Sequence, residues 1–576
     1  MTSRKNSNNQ LHLLLLLGWL VIGVALRFTN LALKPASSIE IATLGFSLGH
    51  GFSQIPLDQV ISAETLLSPL RFDGSVSSAD VIEHLMREST HPPLYFWLTF
   101  WWTKLFVGDG ELVSLFVGRS LSAIFGSLAI PAIFGLSWVA FRNRTIADLA
   151  ALLMAVSPYG IYIAQETRHY TLTILWVIAS LTFLILATQH IYRRIKFPIW
   201  AVCLWVLVNS LGIATHYFFS LALGAEGLVM LGLLVWDYRR QESTQFSFSH
   251  WWPIVAVGLG TLVGCLVWLP VVSGISSNQL TDWIETSFDL DEIWQPIPRL
   301  IIWLITMVMM LPVEGTSLVI TVISALAILS VLIWITPALV RGWKSSLSSS
   351  IGFPLRVLGG YWLAVIMIFF VVIYGLGKDI SLAARYHFVY FPVVLVLIAV
   401  ALADHWQNFS QHQFFSAIAK RVVIVLVLMG FLGSLTVVNN LGFQKSRNSD
   451  RLAAHIQANA TVPSLVAMTY DTHSQLRELI ALALSFERLN DKDKSFSPEF
   501  LLVRRNKEQD RSFVTLSEIL RSRSASPSAR SQPKPLNLWG INLKIGKESL
   551  SQLNCIPDKK LRISNTGYRN RFYLCR

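Results

Sequence analysis

The chain has 576 residues, 53% hydrophobic and only 14% charged, with a mean hydropathy of +0.52. Soluble domains carry about 25% charged residues, so a water-soluble fold is excluded for most of the length. The net charge is +13, and from Gly442 onward 23 Lys/Arg stand against 12 Asp/Glu. The basic excess therefore belongs to the tail, where it suits anionic lipid headgroups or glycans. No nucleic-acid-binding motif accompanies it.

In chain order, apolar runs at about 11–33, 115–140, 146–164, 170–190, 199–217, 219–236, 253–273, 316–338, 355–376, 387–404 and 421–441 are each about 18 residues or longer. Runs of that length cross a bilayer as helices. The first lacks a small-residue cleavage site and reads as a retained span. Two shorter runs, about 93–107 and 297–312, reach only about 22 Å as helices and fall short of a core of roughly 30 Å. With both treated as interfacial or re-entrant, the basic clusters at Arg4/Lys5, Arg142/Arg144, Arg193/Arg194/Lys196, Arg239/Arg240, Arg341/Lys344/Arg356 and Lys420/Arg421 fall on one side. That is the cytoplasmic side by the positive-inside rule. The expected fold is an all-α polytopic membrane protein with about 11 transmembrane helices and a cytoplasmic N-terminus. A membrane domain spans 1–441 and includes an extracytoplasmic loop 34–114. An extracytoplasmic α/β domain spans 442–576.

In that tail, DRLAAHIQANA and SQLRELIALALSF have helical periodicity, whereas PSLVAMTY, EFLLVRR, LNLWGINLKI and RFYLCR read as strands. The Ser/Pro/Arg-rich segment at about 521–535 reads as flexible. Cys203 and Cys265 fall in spans. Cys555 and Cys575 lie in the tail, where an extracytoplasmic setting permits a disulfide.

Ionisable groups at membrane depth are costly and usually functional. Glu40 follows the first span and reads either as a site carboxylate or as the first-turn acid of a helix capped by Ser37 or Ser38. His91 precedes Pro92 and Pro93, which hold it extended and fit the first turn of an aromatic interfacial helix. The stretch SPYGIYIAQETRHYTL places Gln165, Glu166, Arg168 and Tyr170 between two spans. Arg168 suits either an ion pair with Glu166 or a phosphate. His216 sits near the end of a span, with Glu226 deeper in the next as a helix–helix hydrogen-bonding partner. Arg385 and Tyr386 open a late span. A carboxylate, an imidazole and two guanidiniums on one face suit a phosphate leaving group and a hydroxyl to be deprotonated. No ATP-binding P-loop is present.

At these residues the chain resembles the bacterial polyprenyl-phosphate-sugar-dependent glycosyltransferases of the GT-C class, related to protein O-mannosyltransferases and the aminoarabinose lipid A transferase. The likeness rests on the acid after span one, HPPLYF, SPYGIYIAQETRHYTL (against the family's SP…IxYSQEARMY) and a late RY…P, and covers roughly residues 11–440. It implies a GT-C-like fold in the bacterial inner membrane and an inverting transfer. The sugar moves from polyprenyl phosphate to a hydroxyl on a lipid, glycan or protein acceptor. In the reaction the resemblance implies, Glu40 is the catalytic base, with Glu166 as the lesser alternative. His91, Arg168, Arg385 and Tyr386 would bind the donor phosphate and lipid-linked sugar, with Gln165, Glu166, Tyr170 and His216 in support. It requires no cofactor and assigns no metal ligand, although a divalent cation is compatible with it. One position departs from the family: Ile39 stands where an Asp usually precedes the Glu. The alternatives are a lipid-linked-glycan transporter, and a lipid-sugar-binding assembly protein without turnover.

Overall fold

The computed structural model describes residues 2–240, 250–273, 292–407, 413–460, 462–490, 496–505, 511–524, 535–545 and 550–575. They form two compact units, the first comprising 1–31, 90–95 and 119–443, and the second 32–89, 96–118 and 444–576. The division differs from the expected boundary near 441 in one respect: most of the 34–114 loop clusters with the C-terminal residues.

The first unit is helical, and the chain is a multi-pass membrane protein. Among the described residues, seven helices are long and apolar enough to cross a membrane: Gln10–Phe28, Leu115–Phe141, Tyr170–Tyr192, Phe219–Arg239, Leu318–Leu347, Gly352–Gly375 and Lys420–Val438. The Arg144–Ala155 and Pro158–Ala164 helices make an eighth if taken as one span, bent by 54°. The remaining three of the eleven expected spans are shorter helices: Ile199–Thr215, Trp252–Leu266 and Phe391–Asp404. Seventeen residues make about 26 Å of helix, short of a roughly 30 Å core. Two of the three are cut short at identifiable residues. His216 leaves the helix in an extended conformation. A 3₁₀ turn, Ala384–Val389, occupies the start of the late span. The two short runs are helices Leu94–Lys104 and Pro296–Thr306. Pro92 and Pro93 immediately precede the first of these, rather than sitting in its first turn.

Leu14, Val21, Leu318, Ile323 and Ile333 are exposed, a pattern that would be an aggregation hazard in water and suits contact with lipid. Inside the unit, helices approach closely where glycine permits. A Cβ on Gly433 would lie 2.5 Å from Pro158 Cγ and 2.8 Å from the Met310 backbone nitrogen.

The second unit contains a six-stranded sheet of β1 (Val60–Ile61), β2 (Ser464–Tyr470), β3 (Glu499–Arg504), β4 (Leu536–Ile541), β5 (Cys555–Asp558) and β6 (Asn570–Cys575), in the order β1-β3-β2-β4-β6-β5. β2 pairs in parallel with β3 and β4, and the other pairs are antiparallel. Side chains alternate between faces, as strand geometry requires. Val466 and Met468 join one core with the Ser449–Ala458 and His473–Leu489 helices, and Leu465 and Ala467 join another with Leu516 and Leu520. The four predicted strands and two predicted helices are all present. β1 and β5 are additional, as is the helix Arg511–Ser524. That helix corrects the start of the expected flexible segment. Leu516 and Leu520, four apart and buried, anchor the helix that continues through residues 521–524, while 525–534 lie outside the described residues.

Cys555 and Cys575 face each other across β5 and β6 and form a disulfide. The bridge closes a loop of 20 residues, for which chain entropy gives about 3 kcal/mol. Replacing both cysteines with alanine is expected to lower the unfolding free energy of this unit by about that amount, measured by denaturant titration under non-reducing conditions.

Candidate functional site

The break between Arg144–Ala155 and Pro158–Ala164 is written into Val156-Ser157-Pro158. Proline disfavours a helical residue before it, and Ser157 is extended (φ −70°, ψ 119°), capping the second half by accepting from Gly160 N. The first half ends in carbonyls with no helical partner. Buried Arg27 supplies donors to two of them, Met154 O at 2.9 Å and Ala155 O at 3.2 Å. Ser434 donates to Val156 O at 2.8 Å. The second half ends at Gln165, whose side-chain amide donates to Arg27 O and Thr29 O. Residues 166–169 then turn the chain, and His169 is the N-cap residue of the Tyr170–Tyr192 helix.

This turn brings predicted residues together. Arg168 is 4% exposed. It donates to His91 Nε2 at 3.2 Å and to the Tyr170 hydroxyl at 3.3 Å. Its backbone is clamped by Ser122, whose Oγ donates to Arg168 O at 3.0 Å and lies 2.7 Å from the Tyr95 hydroxyl. His169 packs against His216 with ring centroids 4.3 Å apart, and against Tyr170 and His91 at 4.5 and 5.5 Å. His216 Nδ1 accepts from Phe218 N at 2.9 Å, which orients that ring. The Ala384–Val389 turn contributes Arg385, hydrogen-bonded to Tyr386 and facing its ring at 5.2 Å. Tyr386 in turn packs on Phe218 at 4.6 Å. The turn is held by Tyr159, donating to Ala384 O, and Tyr361, donating to Val389 O. The charges of Arg168 and Arg385 both act on His169 and His216.

His91, Arg168, Tyr170, His216, Arg385 and Tyr386 thus form one cluster within the first unit. Gln165 lies at its edge as a helix cap. Glu166 is hydrogen-bonded to Tyr162, and the Arg168 side chain is hydrogen-bonded to His91 and Tyr170. Glu226 accepts from Ser180 at 2.8 Å, in a network with Trp205 and Asn209 that spans neighbouring helices. The sequence alone gives no role to His169, Tyr95 or Ser122. His169 carries a local signal, standing between the two predicted residues Arg168 and Tyr170. Tyr95 stands within the HPPLYF motif, and Ser122 has no local signal at all.

Glu40 belongs to the second unit and is fully buried. It is the third residue of the Ser38–Ser47 helix and completes a reciprocal capping box with Ser37. Its Oε2 accepts from Ser37 N at 3.2 Å and Ser37 Oγ at 3.4 Å, and lies 3.4 Å from Lys445 Nζ. Of the two readings of Glu40, the capping role is therefore realised, with a buried cation beside it that sequence spacing did not suggest. Among the described residues no group of three or more His, Cys, Asp or Glu is placed to hold a metal ion.

No family model matches the sequence, and no curated protein matches it. Solved structures of similar fold include ArnT from Cupriavidus metallidurans bound to undecaprenyl phosphate, at 11% identity and a TM-score of 0.48, covering 97% of each chain. The apo state of the same protein gives 12% identity, a TM-score of 0.49 and coverage of 97% of this chain and 98% of that one. The archaeal oligosaccharyltransferase AglB from Archaeoglobus fulgidus, in complex with an inhibitory peptide and a dolichol-phosphate, gives 11% identity and a TM-score of 0.45. That match covers 83% of this chain, which spans 64% of the archaeal protein. Likenesses at these identities and scores carry no activity across.

Proposed function

We propose that the chain is an inverting membrane glycosyltransferase. It takes a sugar from a polyprenyl-phosphate donor and passes it to a hydroxyl of a lipid, glycan or protein acceptor. The observation that carries this reading is the convergence of Arg168 and Arg385 on one buried cluster of imidazoles and phenols in a membrane protein. Two guanidiniums in a low-dielectric setting are suited to an anion, and their planar forks match phosphate geometry. The acceptor oxygen attacks the anomeric carbon as the bond from that carbon to the phosphate oxygen breaks. The departing phosphate gains negative charge, which Arg168 and Arg385 stabilise. His91 and Tyr170 hold the Arg168 fork, Tyr386 holds Arg385, and His216 packs behind them. Glu40 is the proposed base that takes the acceptor proton. A lipid phosphate is already a leaving group, so no step is routed through a metal or cofactor. The one-sided distribution of basic loops supports a cytoplasmic N-terminus and chemistry at the outer face of a bacterial inner membrane.

One observation favours a second reading, donor binding without turnover. Glu40 Oε2 is already engaged by Ser37 and Lys445, and the family resemblance would put an Asp where Ile39 stands. Radiolabelled sugar transfer in proteoliposomes separates the two. Glu40→Gln is expected to lower the rate at least about a hundredfold with donor binding retained. Full transfer by Glu40→Gln removes it as the base. Absence of transfer in the wild-type protein, with a large gain in Ile39→Asp, establishes the second reading instead.

A further inference from the structure

The second unit contains a cavity of about 600 Å³, built from segments near residues 50–56, 65–73 and 109–110. Its volume falls within the roughly 300–1,000 Å³ usual for small-molecule sites. Backbone pairing fixes the walls. Phe72 N donates to Glu111 O at 2.9 Å and Gly110 N to Phe72 O at 2.8 Å. Arg71 Nη1 donates to Gly110 O at 2.9 Å, and His50 Nε2 lies 3.1 Å from Arg71 O.

These contacts leave mainly acceptors open, with Arg71 Nε a buried donor without a partner among the described residues. Asp73 Oδ1 accepts from Ser75 N and Oγ, and Asp109 Oδ1 accepts from Gly74 N. The Oδ2 atoms of both carboxylates take no hydrogen bond among the described residues, and neither does the Gln54 amide. Because His50 Nε2 donates to a carbonyl, its Nδ1 is an acceptor. Burial lowers the His50 pKa from its usual value and keeps the ring neutral, while the Ser75 hydroxyl lowers that of Asp73 and keeps it ionised. The lining therefore carries two anionic groups against one guanidinium. Phe72 adds an apolar wall, and the residues are not grouped to hold a metal ion. A ligand that fits brings several hydrogen-bond donors, a face of C–H groups and no negative charge.

We infer that this cavity binds a small saccharide through its hydroxyl or amino donors, with Asp73, Asp109 and Gln54 as the recognising side chains. The binding does not depend on the transfer chemistry proposed above, and is measured without a lipid-linked donor. The full chain is reconstituted in lipid nanodiscs free of sugar detergents and titrated with glucosamine, N-acetylglucosamine and glucuronate by saturation-transfer NMR. Saturable binding is expected for the first two, with glucosamine the tighter and glucuronate the weakest. Asp73→Asn and Asp109→Asn each weaken glucosamine binding about tenfold. Gln54→Ala, which disturbs no wall contact, weakens both sugars. Thermal unfolding identifies any variant that fails to fold, and the remaining variants then decide. No saturable binding of either amino sugar, glucuronate binding as tightly as glucosamine, or affinities unchanged in the folded variants overturns the assignment.

Discussion

Arg168→Ala is expected to lower sugar transfer between about a hundredfold and a thousandfold, the usual effect of removing one donor aimed at developing charge. The fall should lie in turnover more than in donor affinity, because in the proposed transfer the departing phosphate carries more charge in the transition state than in the bound donor. Arg168→Lys keeps the charge but loses the planar guanidinium, whose Nη2 donates to both His91 and Tyr170, so partial activity is expected. His91→Ala leaves the guanidinium in place with one fewer partner and should cost less than either. Initial rates of polyprenyl phosphate release in proteoliposomes, normalised to folded protein, provide the measurement. A rate within about twofold of wild type for Arg168→Ala would remove Arg168 from the phosphate site.

The second large effect concerns stability. Glu40 is fully buried and the Lys445 side chain is 7% exposed, with 3.4 Å between their charged atoms. Lys445→Met keeps the stem and removes the cation from beside a buried carboxylate. Breaking such a pair costs about 3–5 kcal/mol, so the second unit should unfold at markedly lower denaturant. The double variant Glu40→Gln/Lys445→Met removes both charges of this pair and should recover most of the loss. Hydrogen exchange over the Ser38–Ser47 helix reads both. Equal destabilisation in the single and double variants would show that the two residues are not coupled.

Much of the helical unit was legible because a bilayer demands long apolar runs, and seven such runs became long helices. The three shorter helices were less legible. Their runs are apolar enough, but His216 and the Ala384–Val389 turn stop the helical backbone for tertiary reasons. The cluster around Arg168 was visible as separate motifs, since HPPLY, QETRHY and RY each carry polar groups where apolar residues surround them. What joins them is packing across the unit, and so Ser122, an ordinary helical serine, could not be singled out. Lys445 was illegible as the partner of Glu40 for the same reason, because 405 positions separate them in the chain. In the tail, strand alternation exposed β2, β3, β4 and β6, whereas the repetitive Ser/Arg composition after residue 520 obscured the end of the Arg511–Ser524 helix.

The pairing of β1 with β3 has a consequence for how the protein is made. Val60 meets Leu501 and Ile61 meets Phe500, so the two sides of this ladder leave the ribosome hundreds of residues apart. Throughout synthesis of the intervening helices, the early segment waits without its partner. Once β3 emerges, its outer edge stays open until the early segment returns to it, and an open edge is a template for pairing with other chains. Membrane insertion of everything between must therefore be complete, with both ends delivered to the same compartment, before this edge can close. The β1–β3 ladder thus serves as a check that the number of crossings between them has come out even.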